Sequence, residues 1–368
     1  MKGTIRPRGR DAWQLVYDLP PGPDGKRRQK TETVRGPKKA AQIRLREVLG
    51  AVDQGRVADP GKMTVGEYLD DWLAGLSRAG TTIERYEQNL RNHIKPELGH
   101  LRLSALTTTR IEAFYKAKLQ THSGASVQLM GAILGKALGR AAKIGLISRN
   151  PCHNVEEKPK AKRKEARFLA PEEKARFVAA TEGSPYRALL LTLLGTGLRL
   201  SEARALGWKH VDLDAGVIHV RRNADRHNVI IDTLKTETSR RTITIPGVLV
   251  GLLREHHKYL LEEKLRLRPI WQDLGLVFPR SDGGVLGISA LDWPMRKLCE
   301  KAGVSISPHS LRHTHASDLI AAGVHAKVVQ ERLGHASIVI TLDRYGHLFP
   351  GSQDQAAKAI DAMLKTVM

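Results

Sequence analysis

The sequence predicts a multidomain chain, mainly α-helical with small β-sheets, and three observations carry that expectation. At 368 residues the chain exceeds the size at which one hydrophobic core usually stops growing, and its 41% apolar content can fill two or three. Apolar residues at helical spacing cover most of its length. Runs of β-forming residues bounded by turn signals occur only near the start and in one stretch of the last segment.

In residues 1 to 58, Trp13 to Leu19 has β-forming content, and Pro20-Pro21-Gly22-Pro23-Asp24-Gly25 supplies a reversal before the basic run Lys26 to Lys30, as in a small hairpin. Lys38 to Val52 has helical spacing, with Ile43, Leu45, Val48 and Leu49 as an apolar stripe beside Arg44 and Arg46. Strands plus one helix make a minimal α+β domain. Its basic strand suits a DNA groove as well as it suits plain solvation.

From Met63 to about residue 150 the pattern is helical alone. Thr64 and Glu67 have the spacing of a capping box at the first helix start. A second helix is expected from Thr82 to Ile94, ended by Pro96 and Gly99, with two more at Thr109 to Leu119 and Ala125 to Ile144. Residues 151 to 167 lack apolar periodicity and contain a dense positive run, so they read as a basic linker. Contact with phosphates is expected there, because each neutralised phosphate releases counterions.

Residues 168 to 368 are expected to be mixed and mostly helical. Helices are predicted at Pro171 to Ala180, Pro185 to Leu194, Val248 to Leu265, Leu291 to Ala302, Leu311 to Ala322, Ala326 to Leu333 and Gln353 to Leu364, with strand-like runs at Val217 to Arg221 and Thr242 to Ile245.

Charge narrows the partners. Lys plus Arg number 60 against 38 Asp plus Glu, a net charge of +22, which points to a polyanion, and double-stranded DNA is the first candidate. A membrane is not expected: the most apolar stretch, Leu189 to Leu194, is far too short to span a bilayer, and the first residues lack the apolar core of a signal peptide. Cys152 and Cys299 cannot make a disulfide framework and lack metal or redox spacing, so a reducing cytoplasm and inert packing are expected, with no cofactor and no metal.

The chemistry concentrates in the last segment. Thr196-Gly197-Leu198-Arg199-Leu200-Ser201-Glu202-Ala203 sets Arg199 just before a helix expected to be capped by Ser201, beside backbone N–H groups suited to an anion. Thr233-Leu234-Lys235-Thr236-Glu237-Thr238 lies between strand-like runs, which would hold Lys235 at a hairpin tip. Pro308-His309-Ser310-Leu311-Arg312-His313-Thr314-His315 follows, then Leu333-Gly334-His335, then Leu342-Asp343-Arg344-Tyr345-Gly346-His347. Each residue alone would be ordinary: a surface tyrosine, a helix-end arginine, a hydrogen-bonded histidine.

In order and spacing these boxes resemble the catalytic signature of the tyrosine recombinase (phage integrase) family: an arginine box, a hairpin lysine, a His-x-x-Arg box, a Leu-Gly-His box and a tyrosine nucleophile. Five linked boxes from Thr196 to His347 are far more specific than any one. The resemblance implies a site-specific recombinase that cuts and rejoins DNA through a 3′-phosphotyrosyl link, with Tyr345 as nucleophile. Arg199 and Arg312 would stabilise negative charge on the phosphate without a metal. By the same resemblance His309 is the acid/base partner, His335 a donor to the phosphate, Lys235 the proton donor to the leaving 5′ oxygen, and Glu202 an orienting group. His313, His315 and His347 are expected only to pack or support.

The likeness extends to layout. Residues 1 to 58 are similar to an arm-binding domain, 63 to 150 to a helical core-binding domain, and 168 to 368 to the catalytic domain, whose C-terminal helix would dock on itself or on a neighbouring subunit. The family implies core-type and arm-type DNA sites, a homotetramer on paired sites, and DNA-bending or directionality factors, in the service of integrating or excising a phage or mobile element. Two rivals stand beside this. A metal site on His309, His313 and His315 is disfavoured because few carboxylates accompany them. A non-catalytic DNA-binding accessory or regulatory protein is disfavoured because every expected active-site residue type is present.

Overall fold

A computed structural model of the chain describes residues 3–19, 28–53, 63–77, 80–161, 167–232, 240–348 and 352–367. It divides into two compact units, Met1–Arg163 and Lys164–Met368.

The first unit opens with an antiparallel sheet in the order β1 (Gly3–Pro7), β2 (Ala12–Leu19), β3 (Arg28–Arg35). Period-2 alternation puts Leu15 and Tyr17 of β2 on one face, and α1 (Lys38–Asp53) covers that face with Ala41, Leu45 and Val48. The first strand carries no signal in the sequence. Gly3-Thr4-Ile5-Arg6-Pro7 has a single large apolar residue, and it becomes a strand by pairing along β2, with Ile5 opposite Leu15.

A separate helical core follows, built by α2 (Val65–Ala74), α3 (Gly80–Asn89), α4 (Lys95–Leu98), α5 (Thr108–Leu119) and α6 (Gly124–Lys143). The capping box forms as its spacing predicts: Glu67 N donates to Thr64 Oγ1 at 3.2 Å and Thr64 N to Glu67 Oε2 at 2.7 Å. Pro96 does not end its helix. Leu90–Ile94 winds as a π-helical turn, with Lys95 N donating to Leu90 O, and α4 carries the chain past Pro96 to Gly99. The wider turn accommodates a ring that cannot donate and that would otherwise press on the preceding turn. Pro151–Asn154 is a short 3₁₀ turn with Pro151 and Cys152 buried, and Val155 joins the same core. The expected linker therefore does not begin at residue 151. Its basic run at 162–166 lies outside the described residues.

In the second unit α7 (Pro171–Ala180), α8 (Arg187–Thr196), α9 (Leu200–Arg204), α10 (Gly247–Arg266) and α11 (Asp292–Ala302) share the main core with a small antiparallel sheet. That sheet is ordered β4 (Val211–Asp212), β5 (Val217–Val220), β8 (Arg241–Thr244). A second ladder, β6 (Asn223–Ala224) with β7 (Ile230–Ile231), extends the same hairpin. Arg204 secures its turn: Nε donates to Leu286 O at 2.6 Å, Nη1 to Asp225 O at 3.1 Å, and Nη2 to Asn228 Oδ1. A smaller cluster, formed by α12 (Pro308–Ala321), α13 (Ala326–Leu333) and α14 (Ile338–Tyr345), buries Ala316, Ile320, Val329, Leu333 and Tyr345. The last helix, α15 (Ser352–Val367), leaves Ile360, Met363 and Leu364 exposed.

Candidate active site

Helix α12 is the spine of the site. Ser307 Oγ accepts from Ser310 N at 3.4 Å and Pro308 occupies the first turn, so the start is well specified. Ser310 through Ala316 are all buried, which places Arg312, His313 and His315 inside, where each polar atom must find a partner. Arg312 is 2% exposed. Its Nη1 donates to Gly197 O and its Nη2 to Leu333 O, both at 2.7 Å. These carbonyls stand at the ends of α8 and α13, where helices leave acceptors unpaired.

Both helix ends need glycine. Gly197 and Gly334 take left-handed backbone, φ 68° and 65°. A Cβ on Gly197 would come within 2.7 Å of His315 Cδ2, and one on Gly334 within 2.9 Å of Arg241 Nη1. The Leu333-Gly334 turn thus presents successive carbonyls to the two arginines of the signature, since Arg199 Nη2 donates to Gly334 O at 3.1 Å.

Arg199 itself, rather than Ser201, is the N-cap of α9, with extended backbone (φ −70°, ψ 147°). Glu202 moves the helix start forward by reaching back. Its Oε2 accepts from Arg199 N at 2.9 Å and its Oε1 from Arg199 Nη1 at 2.7 Å. Arg241 grips the same carboxylate from the other side, Nη1 to Oε1 at 3.0 Å and Nη2 to Oε2 at 2.8 Å, while its Nε donates to Arg332 O. Burial alone would raise the Glu202 pKa, but the hydrogen bonds and charges of Arg241 and Arg199 overrule it and hold it at about 2. Glu202 is a permanent anion between two guanidiniums.

Three histidines in the site are kept neutral. His335, 5% exposed, shares a 2.9 Å hydrogen bond with Thr341 Oγ1, and burial with the charges of Arg312 and Arg199 pushes its pKa down to about 3. His315 Nε2 accepts from Arg332 Nε at 2.9 Å, so its Nδ1 carries the proton donated to Leu194 O; burial and Arg332 hold it at about 3. His313 falls to about 4 through burial, His309, Arg344 and Arg312. Its Nδ1 lies 2.7 Å from the Oη of Tyr345, whose side chain is 1% exposed and whose pKa burial raises.

The expected partner of the tyrosine, His309, stands one step further away. It is exposed at the residue level, and its ring meets His313 edge to face, with centroids 4.7 Å apart. Desolvation and the charges of Arg312, Arg344 and Arg199 lower its pKa. The structure thus brings Arg199, Glu202, His309, Arg312, His335 and Tyr345 together around the Leu333-Gly334 turn and α12. Lys235 lies outside the described residues.

Two contributors carry no chemical role in the sequence reading, where His313 is expected only to pack or support. Arg241 shares the inward face of β8 with Ile243, an alternation readable as Arg-Thr-Ile-Thr. His313 is four residues after His309, a spacing legible as one helix face but assignable only once Tyr345 was placed beside it. Among the described residues no group of three or more His, Cys, Asp or Glu stands in a metal-holding arrangement. No helix there is long and apolar enough to cross a membrane.

Chemically the arrangement is an anion receptor with a phenol in it. Arg312 is buried among neutral carbonyls, and burial together with the charge of Arg199 lowers its pKa to about 9, a strain that a bound anion relieves. Two guanidiniums have the bidentate donor geometry that suits a phosphate.

Comparison with known proteins gives the family and the fold. Residues 167–351 match the family model described as "Phage integrase family", and residues 64–119 match "Phage integrase, N-terminal SAM-like domain". A tyrosine recombinase XerC-like protein of Caldanaerobacter subterraneus subsp. tengcongensis is 30% identical over 88% of this chain and 89% of its own length. An integrase of Streptomyces ambofaciens is 30% identical over 91% and 89%, and the ICEBs1 integrase of Bacillus subtilis 30% identical over 76% and 78%. Among solved structures, the Tn1549 transposon integrase in complex with a circular intermediate DNA superposes with a TM-score of 0.67 at 20% identity, covering 82% of this chain and 99% of that one. A lambda integrase tetramer bound to a Holliday junction superposes with a TM-score of 0.56 at 18% identity, covering 90% and 95%.

Proposed function

The chain belongs to the phage integrase family of tyrosine recombinases and is a site-specific DNA recombinase, and from that premise we propose which residues carry the reaction and what assembles around it. Tyr345 Oη attacks the scissile phosphorus, and the 5′ oxygen leaves with a proton from Lys235. Arg199 and Arg312 hold the non-bridging oxygens, with His335 as a further donor, and Glu202 sets the direction of Arg199. The phenolic proton leaves toward the histidine side, where His309 and His313 sit. A 5′ hydroxyl of another strand then displaces the tyrosine and reseals the DNA without an external energy source, because the phosphodiester energy is kept in the phosphotyrosyl link. The observation that carries this reading is the convergence of both arginines on the Leu333-Gly334 turn in the same small cluster that buries Tyr345.

The same reading gives residues 1–58 to arm-type sites, 63–155 to core sites, about 156–167 to the connection that follows, and 168–368 to catalysis. A homotetramer on two duplexes is its working form, assisted by DNA-bending or directionality factors. Support comes from the net charge of +22 and from the DNA-bound state of the transposon and lambda integrases. The test uses a nicked duplex carrying an attachment site taken from repeats flanking the gene. Wild type leaves a covalent protein–DNA adduct that survives denaturant, and Tyr345→Phe binds the duplex but leaves none. An adduct formed by Tyr345→Phe overturns the assignment.

A further inference from the structure

A neutral imidazole has one nitrogen that donates and one that accepts, so His335 can serve a phosphate only if its proton is on the side facing it. We infer that Thr341 is a positioning residue for the cleavage reaction: its hydroxyl donates to His335 Nδ1 and so places the ring proton on Nε2, where the phosphate can accept it. The inference rests on the reading of His335 as a donor to the scissile phosphate.

Hydrogen-bond accounting is the first ground. Thr341 is 0% exposed near the start of α14, with its Oγ1 2.9 Å from His335 Nδ1. A threonine inside a helix commonly has a second choice, the carbonyl one turn back. Among the described residues, however, His335 is the one hydrogen-bond partner of this hydroxyl. Were the hydroxyl to accept from Nδ1, its own proton would be left unpaired in the interior, the costlier arrangement. Donation to Nδ1 satisfies both atoms, and Nδ1 is then the unprotonated nitrogen.

Placement is the second ground. Gln330 Nε2 donates to His335 O at 2.6 Å and His335 N donates to Gln330 O at 3.1 Å, which fixes the backbone from which the ring projects. Nε2 makes no hydrogen bond among the described residues and is not sealed from solvent, so it is open to a ligand. Charge state is the third. Burial, with the charges of Arg312, Arg199, Arg344 and Arg241, holds the ring pKa at about 3, so it carries a single proton. A lone pair on Nε2 would repel the phosphate oxygens that Arg199 and Arg312 hold. Thr341 and Tyr345 are four residues apart on α14 and both buried, so the nucleophile and the hydroxyl that sets this proton share one helix face.

Full-length protein and the nicked duplex test this. Thr341→Val keeps the side-chain shape and removes the hydroxyl. Adduct formation is then expected to slow about 10–100-fold, the loss typical when the outer hydrogen-bond partner of a ligating imidazole is removed. Affinity for the duplex should stay within about threefold of wild type, because the step lost is in the reaction and not in binding. Thr341→Ser restores the hydroxyl and should recover most of the rate, a rescue that a purely structural role would not give. The ring-nitrogen chemical shifts of His335, identified by their loss in His335→Gln, are read in Tyr345→Phe bound to the duplex. They should show a protonated Nε2 and an unprotonated Nδ1, and this measurement decides even if Thr341→Val does not fold. A proton found on Nδ1, a wild-type rate in Thr341→Val, or equal slowing in Thr341→Val and Thr341→Ser overturns the proposal. Failure of the site reading looks different: His335→Ala would cleave at the wild-type rate.

Discussion

Arg241 closes both of its terminal nitrogens on the two carboxylate oxygens of Glu202, at 3.0 and 2.8 Å, inside a shell where their side chains are 6% and 3% exposed. Glu202 in turn holds Arg199 by backbone and side chain. Removing Arg241 leaves the buried carboxylate with Arg199 alone, so the loss is at most a sizeable part of the ~3–5 kcal/mol typical when a buried charge loses its partner. Arg241→Met is therefore expected to lower unfolding stability by up to that amount and to slow adduct formation through misdirection of Arg199. Chemical denaturation and the nicked-duplex assay check both. Stability within about 0.5 kcal/mol of wild type would show that the pair contributes little.

The neutral histidines make stability depend on pH. His313, His315 and His335 have folded pKa values of about 4, 3 and 3, below the unfolded value of about 6.5. Between those values the unfolded chain binds more protons, so stability is full above pH 6.5 and declines as pH falls toward 4. Glu202 adds a second loss at lower pH, from the unfolded carboxylate value near 4.5 down to about 2. Melting temperature followed from pH 7.5 to 4 should fall steadily below 6.5. His315→Gln should flatten the slope, and an unchanged slope would remove His315 from the account.

Glycines at the two helix ends should not tolerate a methyl group. Gly334→Ala puts a Cβ 2.9 Å from Arg241 Nη1 at φ 65°, where a non-glycine residue is strained by about 1–3 kcal/mol. A loss of that size in stability, with slower cleavage, is expected. Gly251→Ala is the contrast. It lies inside α10 with nothing within 4 Å of the added carbon, and should stabilise by about 0.4–1 kcal/mol. Equal effects from the two would contradict the steric argument.

Arg204, directly after the arginine box, is a charged residue that the fold buries completely. Its 1% exposed side chain satisfies Leu286 O, Asp225 O and Asn228 Oδ1, fastening the β6–β7 turn in which Asn228 has φ 65°. Arg204→Met fills the volume but leaves these acceptors unpaired, at about 1–3 kcal/mol for each that water cannot reach. Hydrogen exchange should quicken first at β6 and β7. Exchange rising instead across α8 and α12 would place the role of Arg204 in the main core.

Much of this molecule is legible in its amino-acid sequence. Helical spacing gives α7 and α13 to the residue, Thr64 and Glu67 give their capping box, and the ordered boxes give Arg199, Arg312, His335 and Tyr345 as neighbours, which the fold brings close together. Such features are local: a cap is a four-residue arrangement, an amphipathic stripe repeats every turn, and a signature is an order along the chain. β1 escaped because one apolar residue makes no alternation, and the helix through Pro96 escaped because a π-helical turn has no composition of its own.

Contacts across long stretches of chain were decided by packing alone. Sequence spacing put His309 and His313 on one helix face, but only the fold of α14 back onto α12, 32 residues later, set Tyr345 Oη on His313 rather than His309. Likewise the demand of a buried carboxylate for two cations, one 3 residues away and one 39 away, joined Arg241 to Glu202. The sequence determined which chemical groups the site contains; the three-dimensional packing decided which of them touch, because hydrogen bonds act over about 3 Å of space and not along the backbone.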